Sequence, residues 1–154
     1  MKRWHIEKAK PEHLPHIAKN MREADRREVW ASSRHTPHEA LATSLERAVF
    51  AWTCFIDDEP SIMFGVSRKT LISYVGVPWL LGTDDIHKVR VDFVKQSHRY
   101  VDRMQEAFPV MENFIHGENK LSIRWLKWCG FSIEDNPVLI GGANFYRFWR
   151  KTYV

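Results

Sequence analysis

The sequence predicts an α/β protein with the element order β-α-α-β-β-β-α-β-α-β-β. Short runs rich in β-forming residues alternate with helical patterns along the chain. The longest helical pattern covers residues 89–108, and a shorter helix over residues 119–131 has strand-like segments on both sides. Strands that alternate with helices in this way are typical of a sheet with helices packed on it.

Length and composition favour one folded domain over residues 1–154. The chain contains 44% hydrophobic and 27% charged residues, which is ordinary for a folded soluble protein. Its two cysteines, Cys54 and Cys129, lie in apolar segments far apart in the sequence, so we expect two reduced thiols in the core. No apolar leader or bilayer-spanning run is present, so we expect a cytoplasmic protein without membrane association.

The charge pattern gives little information about a partner. The formal net charge is +4, but the basic residues are scattered and not clustered on one face, so the charge does not favour a nucleic-acid partner. Residues 145–151 mix aromatic and basic side chains as single-strand platforms do, although their alternation also fits a terminal strand, which we prefer. His35 and His38 lack a third ligand nearby, so no metal site is expected.

The N-terminal third begins with a strand over residues 4–9, where apolar and polar side chains alternate. A helix is expected next, because Pro11 suits the first turn of a helix. Residues 22–47 then predict one broken helix or two consecutive helices, with Thr36 and Glu39 as a capping box.

Three strands are predicted after these helices. Residues 49–56 and 61–67 favour a hairpin, because both runs are rich in β-forming residues and a turn separates them. A third strand covers residues 71–81, but Gly76 and Pro78 interrupt it. Proline cannot donate a hydrogen bond in a ladder, so we expect this strand to bulge, bend or lie open on one side.

The C-terminal half predicts a long helix that Pro109 ends, a strand, a capped helix and two closing strands. Asn119 is a good N-cap, because its side chain can accept a free backbone N–H of the first turn. Gly130 is typical of a C-terminal cap that leads directly into a strand. The three strands are expected over residues 110–115, 131–134 and 144–150.

Residues 119–131 resemble a motif of the GNAT family of acyl-CoA-dependent N-acyltransferases. In that family the helix after the fifth strand carries an Asn, a small residue three positions later and a terminal Gly-Phe. Here these residues are Asn119, Ser122, Gly130 and Phe131. The resemblance covers nearly the whole chain in element order, but only this segment as a sequence motif. It implies a mixed central sheet with splayed fourth and fifth strands, whose cleft holds the pantetheine arm of acetyl-CoA.

Within the family, this segment together with residues 79–83 resembles the small GNAT-like proteins of T7-like podophages, of the internal virion protein A type. That resemblance implies a phage protein in the host cytoplasm or in the virion. A phage or host protein is then an expected partner.

The resemblance implies cofactor contacts on both sides of the splayed strands. They fall on Leu81, Thr83, Lys88, Arg90, Asn119 and Ser122. Two features of the family pattern are missing. The glycine-rich pyrophosphate loop is replaced by residues 84–91, which contain no glycine, and Leu126 stands where the family usually has a general-acid tyrosine.

An N-acyltransferase needs a base to take a proton from the acceptor amine. His116, after the fifth strand, is the first candidate, and Glu112 and Asp84 are carboxylate alternatives. Each also fits a plain structural role, as a surface histidine or as a solvated or paired carboxylate.

The sequence leaves two functions open. One is an acetyl-CoA-dependent N-acetyltransferase that acts on an amine of a protein or a small molecule. The other is a catalytically inactive GNAT-like protein that serves phage assembly or binds a host factor. The family resemblance favours the first, and the two missing features favour the second.

Overall fold

The computed structural model describes residues 3–152, in which eight strands form one sheet. The strands are β1 (Trp4–Lys8), β2 (Ala48–Ile56), β3 (Glu59–Arg68), β4 (Val75–Gly82), β5 (Val110–His116), β6 (Ser132–Ile133), β7 (Val138–Ile140) and β8 (Ala143–Lys151). The α-helices are α1 (Leu14–Lys19), α2 (Glu23–Ser33), α3 (Pro37–Arg47), α4 (Ile86–Ala107) and α5 (Lys120–Trp128), and a short 3-10 helix covers Pro11–His13. The strand order is β1-β2-β3-β4-β5-β8-β6, and β7 also pairs with β8.

The predicted α/β class is confirmed, and the segment over residues 22–47 forms two consecutive helices, α2 and α3. The predicted start of the fourth strand is wrong, because β4 begins at Val75 and residues 71–74 form an exposed turn. The last pair of the β3–β4 ladder joins Arg68 to Gly76, so the chain must reverse direction between them. Strand β7 was not predicted, since three residues are too few to show a period.

The sheet separates two hydrophobic clusters, and β3 contributes to both. Ile62, Phe64 and Val66 belong to the cluster that includes residues of α4 and α5. Met63, on the opposite face, belongs to the cluster that includes residues of α1, α2 and α3. This alternation follows from the two-residue period of a strand.

Both cysteines are free and buried, as predicted. Burial raises the pKa of the Cys54 thiol to about 12 and that of the Cys129 thiol to about 11. Both thiols therefore stay protonated at neutral pH and pack as small apolar side chains. The aromatic and basic segment near the C-terminus forms β8, which confirms the strand interpretation.

The predicted helix caps are confirmed at two places. Thr36 Oγ1 accepts the N–H of Glu39, and Glu39 Oε1 accepts the N–H of Thr36, which completes the capping box. Gly130 has a φ of +84°, and Phe131 N–H donates to the carbonyl of Leu126 over 3.0 Å, as in a Schellman motif.

The predicted N-cap role of the Asn119 side chain is wrong. No backbone N–H of α5 donates to this side chain. The amide is 1% exposed and lies beside the buried carboxylate of Asp25, to which it donates over 3.1 Å. A buried carboxylate that lacks hydrogen-bond donors costs much free energy. The N–H groups at an exposed helix end cost less, because water can accept their hydrogen bonds.

Strands β4 and β5 are splayed, as the family resemblance implies. They pair in parallel only at Val75 with Val110 and at Gly76 with Met111. Beyond these pairs, β4 continues along β3 to Gly82, and β5 continues along β8 to its end. The strand interrupted by glycine and proline therefore lies open on one side, which was one of the three expected outcomes.

Two neighbouring glycines allow a test of how the β7–β8 turn is held. Gly141 and Gly142 both have positive φ, so alanine at either position should cost about 1–2 kcal/mol. Only a Cβ at Gly141 would overlap the carbonyl oxygen of Ala31 in α2, whereas a Cβ at Gly142 meets nothing within 4 Å. We expect Gly141→Ala to lower the free energy of unfolding by about 1–3 kcal/mol more than Gly142→Ala in urea titrations. Equal losses would show that this contact does not hold the turn.

Candidate active site

The diverging strands leave a cleft with a volume of about 510 Å³. Its wall is formed by residues 77–81 of β4, residues 113–115 of β5 and side chains of α2, α3 and α5. The Asn113 side chain donates to the carbonyl of Pro78 over 2.9 Å and so joins the two strands across the opening. A cleft of this size is in the range of small-molecule sites.

Helix α2 binds the ends of both diverging strands. The N–H of Arg22, just before α2, donates to the carbonyl of Gly82, and the N–H of Gly82 donates to Asp25 Oδ2 over 3.0 Å. At the end of β5, the N–H of His116 donates to Glu28 Oε1 over 2.9 Å. Backbone groups that have no strand partner are thus satisfied by α2.

Asp25 is the centre of a buried polar network. Its carboxylate is 0% exposed and accepts hydrogen bonds from Arg22, Asn119 and Gly82. Arg22 also donates to Asn119 Oδ1 over 3.3 Å. Burial raises the pKa of the Asp25 carboxyl, while the Arg22 charge and the N–H donors act in the opposite direction.

Glu28 lies one helical turn after Asp25 and lines the cleft. Its Oε1 atom accepts the His116 N–H and, over 3.5 Å, the Asn119 amide. Burial and then the neighbouring Asp25 charge raise the pKa of the Glu28 carboxyl to about 8. Among residues 3–152, Glu28 is the one carboxylate in the cleft wall, and it changes charge close to physiological pH.

Neither Asp25 nor Glu28 was predicted as a site residue from the sequence. Both lie in a segment with many charges, where carboxylates are usually solvated. A signal was present, because Met21, Asp25 and Val29 follow a four-residue spacing and all three are buried. A carboxylate inside an apolar helical stripe indicates a buried charge that needs partners.

His116, the first predicted base, lies at the end of β5 beside the cleft. Its Nδ1 atom accepts the N–H of Glu118 over 3.1 Å, and its ring packs against Phe145 in a T-shaped arrangement. The ring does not line the cleft. In the neutral ring the proton is then on Nε2. The lone pair of Nδ1, which would have to accept the substrate proton, is already used by the hydrogen bond from Glu118. The base role of His116 stays a prediction that this geometry does not favour.

The two predicted carboxylate bases lie outside the cleft wall. Glu112 accepts hydrogen bonds from Lys69 and Arg147, each over 2.6 Å, and these bonds hold its pKa below the ordinary value. Asp84 is exposed in the turn after β4. The structure therefore does not bring the three predicted bases together, and the base role of each carboxylate stays a prediction.

Of the predicted cofactor residues, Leu81 and Ser122 line the cleft. Ser122 Oγ is buried and has no hydrogen-bond partner among residues 3–152. The same is true of Nε1 of Trp79, which also lines the cleft. Buried polar groups are rarely left unpaired in native proteins. These two atoms therefore fit a polar ligand in the cleft, such as the amide-containing pantetheine arm of acetyl-CoA.

The predicted phosphate region after β4 offers little to an anion. The N–H groups of Ile86, His87 and Lys88 donate to carbonyls of the preceding turn, at 3.3, 3.1 and 2.9 Å. The backbone donors that bind phosphate at other helix N-termini are therefore in use. Lys88 pairs with Asp85 over 3.3 Å, so its charge is also shared. Thr83 Oγ1 accepts the Asp85 N–H within the same turn.

A second pocket of about 300 Å³ lies between α4 and α5. Arg90, Lys95 and Arg124 line it together with Trp128, and none of these three cations has a carboxylate partner within residues 3–152. Trp125 lines both this pocket and the cleft. Of the two cations predicted to bind the cofactor, Lys88 and Arg90, only Arg90 lines this pocket. Its guanidinium could bind a phosphate group directly, without the backbone N–H groups of a glycine-rich loop.

Over the part of the chain that the structure describes, no three His, Cys, Asp or Glu side chains are grouped to hold a metal ion. None of the helices in this part combines the length and apolarity needed to cross a bilayer. Leu126 is 2% exposed and lines the cleft, so the position of the family's usual acid carries an apolar side chain.

No protein-family model matches the sequence, and the search of curated proteins gives no match. A GNAT-family acetyltransferase from Streptococcus pneumoniae matches in structure, with a TM-score of 0.67 and 11% identity over 97% of this chain and 99% of that chain. The fold is that of the GNAT acetyltransferases.

Two further solved structures match to a similar extent. YncA from Salmonella typhimurium, solved with its cofactor acetyl-CoA, has a TM-score of 0.67 and 14% identity over 96% of this chain and 93% of that chain. Ribosomal-protein-S5-alanine acetyltransferase from Vibrio fischeri has a TM-score of 0.65 and 14% identity over 96% of this chain and 92% of that chain. At these identities the comparison establishes the fold alone.

The buried network should be essential to this GNAT fold. Asp25→Ala leaves the buried Arg22 charge without its carboxylate, which should lower the free energy of unfolding by about 3–5 kcal/mol. Glu23→Ala on the same helix removes an exposed pair with Arg27 and should cost less than about 1 kcal/mol. Urea unfolding of both variants measures the difference, and similar losses would contradict the role assigned to Asp25.

The raised pKa of Glu28 should appear in the pH dependence of stability. The folded protein keeps this proton up to about pH 8, whereas an unperturbed glutamate releases it near 4.5. The Glu28 contribution to the free energy of unfolding should therefore fall as the pH rises between these values, by at most about 1.4 kcal/mol per pH unit. Glu28→Gln should remove this slope in unfolding experiments from pH 5 to 9, and Glu23→Gln should keep it. An unchanged slope in Glu28→Gln would contradict the assignment.

Proposed function

We propose that the protein is an acetyl-CoA-dependent N-acetyltransferase that acts on an amine of a small molecule or a protein. The observation that carries the proposal is the open cleft between β4 and β5, which is lined by Trp79 and Ser122. The Nε1 atom of Trp79 and the Oγ atom of Ser122 are buried and have no hydrogen-bond partner within residues 3–152. On a GNAT fold, such a cleft is suited to a long ligand with amide groups. When bound, acetyl-CoA supplies a thioester whose carbonyl carbon bonds to the acceptor nitrogen while the C–S bond breaks and the sulfur keeps the electron pair.

The chain's own groups divide this task between the two pockets. Trp79 and Ser122 can donate hydrogen bonds inside the cleft, and the buried side chain of Leu126 keeps that region dry. Arg90 and Arg124 in the second pocket supply positive charge for phosphate groups. Side-chain cations would thus replace the backbone donors that the β4–α4 turn has already used.

A phage origin is the narrower part of the proposal. It is supported by the resemblance of residues 119–131 to the small proteins of T7-like podophages. The protein would then work in the host cytoplasm or enter the virion. A phage or host protein would be its amine acceptor or its binding partner.

A specific observation favours a second candidate, a GNAT-fold protein without catalysis that serves phage assembly or binds a host factor. The first-turn N–H groups of α4 are bonded within their own turn, and Leu126 has no proton to donate. Both features weaken recognition of the cofactor and departure of its thiolate. The two candidates differ in whether acetyl-CoA binds.

Calorimetric titration with acetyl-CoA tests the proposal directly. We expect saturable binding, and Ser122→Ala should weaken it about 2- to 10-fold, because one hydrogen bond to the ligand is lost. Ser132→Ala, at an exposed position in β6, is the matched control and should bind like the parent protein. No binding at millimolar acetyl-CoA would exclude the enzyme and leave the non-catalytic candidate.

A further inference from the structure

The wall of the cleft contains one acidic side chain, that of Glu28, within the described residues. We propose that Glu28 is the catalytic base, which takes the proton of the acceptor ammonium on Oε2. This inference rests on the proposed N-acetyltransferase function and assigns a residue to its proton transfer. The N–H bond of the ammonium breaks, the Oε2–H bond forms, and the nitrogen keeps the electron pair. Solvent takes the proton from Glu28 after the product leaves.

The hydrogen bonds of Glu28 orient its carboxylate. Oε1 accepts the His116 N–H over 2.9 Å and lies 3.5 Å from the Asn119 amide. Within residues 3–152, no donor is hydrogen-bonded to Oε2, so this oxygen is the one available to a ligand. A base held by a backbone N–H at a strand end keeps its position when the ligand changes, which proton transfer requires.

Five charged or titratable side chains belong to the surroundings of Glu28 or to the same cleft wall. They belong to Asp25 on the same helix, Arg22 before it, His116 on β5, and His35 and Arg47 in the cleft wall. Arg22 is already bonded to Asp25 and Asn119, so its charge is directed at Asp25 first. Burial and then the Asp25 charge raise the pKa of the Glu28 carboxyl to about 8, which suits a base that works at neutral to mildly alkaline pH.

His35 is the other titratable group in the cleft wall that could accept a proton. No hydrogen bond among the described residues fixes its ring, so its orientation is less defined than that of Glu28. His116 does not line the cleft, and its Nδ1 already accepts an N–H. Geometry therefore favours Glu28 over both histidines.

The experiment compares Glu28→Gln with two matched variants. Glutamine keeps the size of the side chain and an oxygen for the His116 N–H, but it cannot take a proton. Glu23→Gln changes an exposed glutamate on the same helix, and His35→Gln removes the competing base. Acetyl transfer is measured from pH 6 to 10 with n-butylamine, spermidine and Nα-acetyl-lysine as acceptors, and acetyl-CoA affinity is measured separately by calorimetry.

We expect Glu28→Gln to bind acetyl-CoA within about twofold of the parent, because Glu28 contacts the acceptor and not the cofactor. Its kcat/KM should fall about 10²- to 10⁴-fold and lose the rise near pH 8. Glu23→Gln and His35→Gln should keep that rise. In protein without acetyl-CoA, carbon-13 NMR should show a carboxyl signal that titrates near pH 8 and is missing from Glu28→Gln.

The outcomes separate this inference from the function on which it rests. A parent protein that binds no acetyl-CoA, or acetylates none of the three amines, overturns the proposed function and the base role together. A parent protein that is active, with a Glu28→Gln variant of unchanged rate and pH profile, overturns the base role alone. Loss of the pH-dependent rise in His35→Gln instead would assign the proton transfer to that histidine.

Discussion

The attachment of α2 to the open ends of β4 and β5 is the constraint on which the rest of the structure depends. Two strands that part in the middle of a sheet leave backbone groups without a ladder partner, and buried groups of this kind are costly. The Gly82 N–H and carbonyl are satisfied by Asp25 and by the Arg22 backbone, and the His116 N–H is satisfied by Glu28. The cleft can stay open because one helix supplies these partners.

The same attachment gives two neighbouring carboxylates, Asp25 and Glu28, different sets of hydrogen-bond donors. Asp25 accepts from Arg22, Asn119 and Gly82, so most of the available donors and the nearest positive charge are directed at it. Burial and then the negative charge of Asp25 raise the pKa of the Glu28 carboxyl to about 8, and the His116 and Asn119 donors offset only part of this rise. Burial thus raises the pKa of both carboxyls, but only Glu28 lines the cleft. The group that closes the strand end is thus also the group that faces the cleft.

Features set by neighbours in the sequence could be predicted well. The capping box at Thr36, the glycine end of α5 and the interrupted strand near Gly76 each depend on a few adjacent residues, and the structure contains all three. Prediction failed where partners come from distant segments. Asn119 looks like a helix cap in isolation, but its amide is taken by Asp25, which lies 94 residues away in the chain.

The sequence by itself determined the order of the longer strands and helices, the class of fold and the position of the interrupted strand, because periodicity, caps and chain breakers act locally. It also showed that Leu126 cannot act as an acid, since that follows from residue type alone. Only the tertiary structure decided which carboxylate enters the cleft. Burial, shared donors and the charge of a neighbour determine the state of Glu28, and these exist only after α2 packs against the ends of β4 and β5.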